Sequence, residues 1–136
     1  MSRPRAGEVT IASEGDIVLA RRTVRDAATA AGFGMTDVTR IVTAASELAR
    51  NVFHYAGTGR MRWMHLDEDS GPGIEIVFED HGPGIADVDQ ALQPGFSTGG
   101  GLGLGLPGVK RLMDELVIDS AVGGGTRIAA RKWLRR

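Results

Sequence analysis

A chain of 136 residues, 42% hydrophobic and 24% charged, has the makeup of one globular domain, and residues 1–136 read as a single unit. A net charge of −1 leaves no electrostatic footprint for nucleic acid, and the lack of cysteine excludes disulfides and thiolate metal sites. No run approaches membrane-spanning length and the opening MSRPRAGEVTI has no apolar signal core, so the expectation is a cytoplasmic protein with no membrane or nucleic-acid partner.

Val9 and Ile11 alternate with polar neighbours, which suggests a short strand. Ser13, with Asp16 following, caps a helix whose apolar positions are Ile17, Ala20, Val24, Ala27, Ala28 and Ala31; Gly32 and Gly34 stop it. Arg21, Arg22 and Arg25 give that helix a basic face, either solvated or a surface for a protein partner. Thr36 caps a second helix with the stripe Val38, Ile41, Val42, Ala45, Leu48, Ala49, Val52, Phe53 and Ala56, closed by Gly57 and Gly59. Strands over 60–66 and 73–80 follow, joined by the turn DEDSGP, with Met61, Trp63 and Met64 packing on the sheet. A short helix spans 85–92. A third long helix spans 106–116, with Pro107 in its first turn and Val109, Leu112, Met113 and Leu116 on its apolar face. Strands over 117–121 and 126–133 meet through VGGGT, and the closing RKWLRR reads as a solvated strand end. The order β-α-α-β-β-α-α-β-β predicts an α+β two-layer sandwich, with helices on one face of a mixed, mainly antiparallel sheet.

The segment Gly95–Gly108, GFSTGGGLGLGLPG, has seven glycines among fourteen residues. Such a stretch builds no core. It offers backbone N–H groups at close approach and, where it opens a helix, the positive end of a dipole, both suited to phosphate. Gly103 to Gly108 fit GxGxxG, but no strand precedes them, as a dinucleotide-binding turn requires. No Lys-Ser/Thr follows for a Walker A loop, and the HRD loop of protein kinases is absent.

Two further segments bear on the choice. Glu47 and Asn51 lie four residues apart, hence side by side on a helix, and on the wheel they fall opposite the apolar stripe. A carboxylate beside an amide can position a nucleophile and hold Mg²⁺ by oxygen; the alternative is a solvated polar face. Asp80-His-Gly-Pro-Gly84 ends a strand with a fixed acceptor beside exposed backbone, fit for adenine's exocyclic amine or else an ordinary turn. His54, His65 and His81 are too scattered for a zinc site; His54 either adjoins the Asn51 site or is structural.

In this order and spacing, ELARN, DHGPG and GLGLG resemble the N, G1 and G2 boxes of the GHKL (Bergerat-fold) ATPase and kinase superfamily, and GGGT resembles its closing GT element. The resemblance covers nearly the whole chain. The stretch GFSTGGGLGLGLPGVKRLMDE narrows it to the small serine/threonine switch kinases of the anti-sigma regulator type. It implies ATP and Mg²⁺ as cofactors. Glu47 takes the place of the general base, and Asn51 of the Mg²⁺ ligand. Asp80 takes the place of the adenine acceptor, with Gly82 and Gly84 leaving room for the base. Gly99, Gly100, Gly101, Leu102, Gly103, Leu104 and Gly105 wrap the phosphates, and Thr126 supports the adenine end. Lys110 either reaches a phosphate or stays in solvent. The implied function is phosphorylation of a small STAS-domain antagonist protein in a bacterial stress or sigma-factor pathway, with a downstream phosphatase as second partner. The alternative is an anti-sigma factor that sequesters a sigma factor.

Overall fold

The computed structural model describes residues 4–69, 71–92 and 105–134. Among them the elements run β1 (Ala6–Ile11), α1 (Glu14–Ala31), α2 (Met35–Ala56), β2 (Gly59–Glu68), β3 (Gly71–Asp80), α3 (Val88–Ala91), α4 (Gly105–Leu112), β4 (Glu115–Ser120) and β5 (Thr126–Trp133). Element order and α+β class agree with the reading from sequence. The sheet runs β1-β2-β3-β5-β4, and all four pairings are antiparallel, so the expected parallel component is absent among the described residues.

Alternation along each strand sorts its side chains between two faces. Val9, Ile11, Met61, Ile74, Ile76, Phe78, Ile128 and Ala130 are buried in the core beneath α1 and α2. The helices answer with Ile17, Ala20, Val24 and Ala27 from α1 and Ile41, Ala45, Leu48 and Val52 from α2, the positions their periodicity selects. His65, on this face of β2, donates from Nε2 to the Ala27 carbonyl at 2.8 Å and ties the sheet to α1.

The opposite face is laced with charge. Register places Arg60, Glu79, Arg127 and Asp119 side by side across four strands, and two rows along the same face Met64, Glu75, Arg131 and Glu115. Arg62 pairs with Glu79 at 3.0 Å and Arg131 with Glu75 at 2.7 Å. The hydrogen bond that Arg131 donates to Glu75 holds its guanidinium above its ordinary pKa. Pairs this exposed contribute little each, but opposite charges across strands fit the register. Met64, expected to pack on the sheet, is 44% exposed here.

The element ends explain the departures from expectation. Ser13 caps α1 as foreseen: its Oγ accepts from Asp16 N–H at 3.2 Å, and Asp16 accepts from Ala12 N–H at 2.9 Å. Thr36 does not cap α2. Gly34 holds that position with extended backbone and no side-chain bond, and Thr36 lies inside the first turn. The short helix shrinks to Val88–Ala91, capped by Asp87, because Ile85 N–H is drawn to Ser120 Oγ at 2.7 Å.

The last helix stops at Leu112 rather than running to 116. Lys132 Nζ donates to the Leu112 carbonyl at 2.9 Å, and Asp114 N–H donates to the Arg131 carbonyl at 2.9 Å, which draws the chain into β4. Leu116, four residues beyond Leu112, fits a helical stripe but sits opposite Ala130 in the sheet. Lys132, read as part of a solvated end, is buried, with Asp114 at 3.6 Å and Asp37 at 4.0 Å. An ammonium at a helix C-terminus complements the dipole. Replacing Lys132 by methionine should therefore destabilise the fold by about 2 kcal/mol, read as a lower urea midpoint at unchanged slope. An unchanged midpoint would show that the clamp contributes nothing.

Candidate active site

The β3–β5 register sets Asp80, the last residue of β3, directly opposite Thr126, the first of β5. A cavity of about 300 Å³ opens here, bounded by α2 and the start of α4. Leu48, Val52, Phe78, Leu106 and Ile128 make most of its wall apolar, while Asn51, Asp80 and Thr126 place polar groups among them. A mostly apolar slot with a few placed polar groups is the usual makeup of a small-molecule site.

Backbone packing builds the end near Asp80. Its Oδ1 accepts from Gly82 N–H at 2.9 Å, an Asx turn that leaves the second carboxylate oxygen for other partners. Loop 81–85 docks on turn 121–125, with Gly123 N–H donating to the Pro83 carbonyl at 2.8 Å. Two glycines permit this contact. Gly84 (φ 79°) lies against the Ala121 carbonyl and Gly125 (φ 78°) against the Asp80 carbonyl, and a Cβ at either would collide with backbone.

On α2, Asn51 lines the cavity, half-buried. Glu47 does not reach the lining. The wheel had set it on a face away from the packed stripe, yet it is 3% exposed and lies 3.4 Å from the Arg50 guanidinium. Both α1 and α4 lie against α2 besides the sheet, so the helix is covered on more than its sheet side. His54 is exposed and meets Tyr55 edge-on at 4.6 Å. Tyr55, which the sequence reading passed over, lines the cavity; its spacing of four from Asn51 was the signal that could have found it. His81 is exposed in its turn, and Arg21, Arg22 and Arg25 are exposed on α1.

Gly105, at φ 54°, opens α4 and lines the cavity, so the helix start, the positive end of its dipole, borders the same space. Lys110 is exposed and outside the lining. Gly99, Gly100, Gly101, Leu102, Gly103 and Leu104 lie outside the described residues. Of the residues singled out from sequence, the cavity brings together Asn51, Asp80, Gly84, Gly105 and Thr126; Glu47, Gly82 and Lys110 lie outside its lining.

No cluster of three or more His, Asp or Glu side chains able to hold a metal occurs among the described residues. A carboxamide oxygen from Asn51 alone fits Mg²⁺, which keeps waters and takes its other ligands from a nucleotide's phosphates. Among the described residues, no helix is long and apolar enough to cross a membrane.

A fold with helices on one face of an antiparallel sheet and a cavity at the β3–β5 end is matched by a known family. The histidine kinase-like ATPase domain model matches residues 11–132, and the chain belongs to that family. It is 52% identical over 127 residues to the serine/threonine-protein kinase RsbT of Bacillus subtilis, covering 93% of this chain and 96% of that one. By this kinship the chain is a protein kinase. Among solved structures, the RsbU and RsbW domains of Rv1364c from Mycobacterium tuberculosis match with a TM-score of 0.69 at 18% identity. That match covers 98% of this chain and 33% of the other, and its identity speaks for the fold alone. The mycobacterial sensor histidine kinase MprB matches with a TM-score of 0.53 at 26% identity over 70% of each chain.

Proposed function

We propose that this chain is a cytoplasmic, single-domain kinase that transfers the γ-phosphate of ATP to a serine or threonine of a small STAS-domain antagonist protein. The transfer frees the kinase to engage a downstream phosphatase in a bacterial stress pathway. The observation that carries the nucleotide part is the meeting of Asn51, Asp80, Thr126 and Gly105 around one cavity. In this reading adenine lies at the Asp80–Thr126 end, and the phosphates lie toward Asn51 and the start of α4. Mg²⁺, held by Asn51 and the phosphates, neutralises charge on the transferring group when bound. Glu47 orients the substrate hydroxyl and accepts its proton. Most of the rate then comes from positioning, as is usual for phosphoryl transfer.

The 52% identity to a protein of that name supports the kinase reading with a protein substrate. The test mixes the purified chain with Mg-ATP and a candidate STAS protein and maps phosphate by mass spectrometry. Phosphoserine or phosphothreonine on the STAS protein, lost in Asn51→Ala, is expected. ATP binding without transfer to any STAS protein would overturn the substrate assignment, and pull-down of a sigma factor instead of a phosphatase would overturn the second partner.

A further inference from the structure

Ser120, the last residue of β4, meets three polar partners. Its Oγ accepts from Ile85 N–H at 2.7 Å, donates to the Gly125 carbonyl at 3.0 Å, and lies 2.8 Å from Thr126 Oγ1. A serine hydroxyl has one hydrogen and two lone pairs. The Gly125 carbonyl can only accept, so it takes the hydrogen. Ile85 N–H can only donate, so it takes one lone pair. The remaining lone pair makes Thr126 the donor in the third contact. The single hydrogen of the Thr126 hydroxyl is thus committed to Ser120, and toward the cavity that hydroxyl has nothing left to donate.

We propose that Ser120 is a positioning residue that fixes the Thr126 hydroxyl as an acceptor and thereby sets the nucleobase preference of the cavity. Thr126 stands directly across from Asp80, whose ionised carboxylate also only accepts. This end of the cavity therefore presents two side-chain acceptors together. It selects a purine edge that donates, the 6-amino group of adenine. With both acceptors set at the 6-position, where adenine's amino group offers two hydrogens, it rejects a 6-oxo purine, whose carbonyl would face them with no hydrogen between and whose N1–H lies one ring position away. The inference rests on the adenine placement proposed above and adds the source of its selectivity.

The test measures dissociation constants by calorimetry for ATP and for inosine triphosphate, which carries a 6-oxo group and an N1–H in place of the 6-amino group and bare N1. The parent protein should favour ATP by about 100-fold. In Ser120→Ala the Thr126 hydroxyl is free to turn its hydrogen toward the cavity, and the ratio should fall to about 10-fold, inosine triphosphate binding more tightly than before. Ser120→Thr, which keeps the hydroxyl, should restore the ratio. Thr126→Val should lower it too, and the double variant should lower it no further than either single one. Ser120 also anchors loop 81–85, and loss of that role alone would weaken both nucleotides equally. An unchanged ratio in Ser120→Ala therefore overturns the inference while leaving the adenine placement standing. A parent protein that binds both nucleotides alike overturns the placement and the inference with it.

Discussion

Replacing Asp80 by asparagine is expected to weaken ATP binding about 30-fold with little effect on the fold. One carboxylate oxygen already accepts from Gly82 N–H at 2.9 Å. In the variant the amide oxygen keeps that contact, because the alternative sets an NH₂ group against an N–H. The amide nitrogen then replaces the free oxygen and turns a donor toward the donor amine of adenine. The Asx turn survives, so the denaturation midpoint of the nucleotide-free protein should shift by less than about 0.5 kcal/mol. Calorimetry that returned parental ATP affinity would refute the placement of adenine at this end.

Glu47 leads to the second large effect. If it accepts the substrate's proton, Glu47→Gln should cut transfer to the protein substrate by at least about 100-fold, with ATP affinity within about 3-fold of the parent. Glutamine suits the purpose better than alanine. It keeps an oxygen for Arg50, 3.4 Å away, and fills nearly the same buried volume. A lost rate at unchanged stability and affinity marks a chemical role. If the variant transferred labelled phosphate at the parental rate, Glu47 would instead be a buried partner of Arg50 and nothing more. Alanine makes a useful contrast, since it removes the ion pair and should lower stability as well.

Much of the architecture was legible because its signals are local. The stripes of α1 and α2, the Ser13 cap and the alternation of Ile74, Ile76 and Phe78 each follow from neighbours in sequence. Asn51, Asp80 and Thr126 were singled out by motif, and the fold brings them to one cavity: one pairing sets Asp80 against Thr126, and α2 lines the same space. What stayed hidden depends on contacts between distant segments. A helical wheel grants α2 one buried face, so the burial of Glu47, on a helix packed by α1 and α4 as well as the sheet, could not be read from it. Leu116 satisfies a helical stripe and a strand equally, and the choice is made by Lys132 holding Leu112 from another strand. Ser120 is an ordinary serine in sequence; its three partners include Ile85, which is 35 residues away.

The strand order carries a consequence for how the molecule forms. β5 lies between β3 and β4, so those two are joined only through it. The β2–β3 hairpin is local, but without β5 its β3 edge is left with a bare row of unpaired backbone groups. The β3–β5 pairing, like the β1–β2 pairing, joins segments far apart in the chain, the kind of contact that forms slowly. Asp80 and Thr126 come face to face only in that step. The cavity thus exists only once that long-range pairing is made, and a ligand gripping both residues would hold the seam shut and favour the folded state.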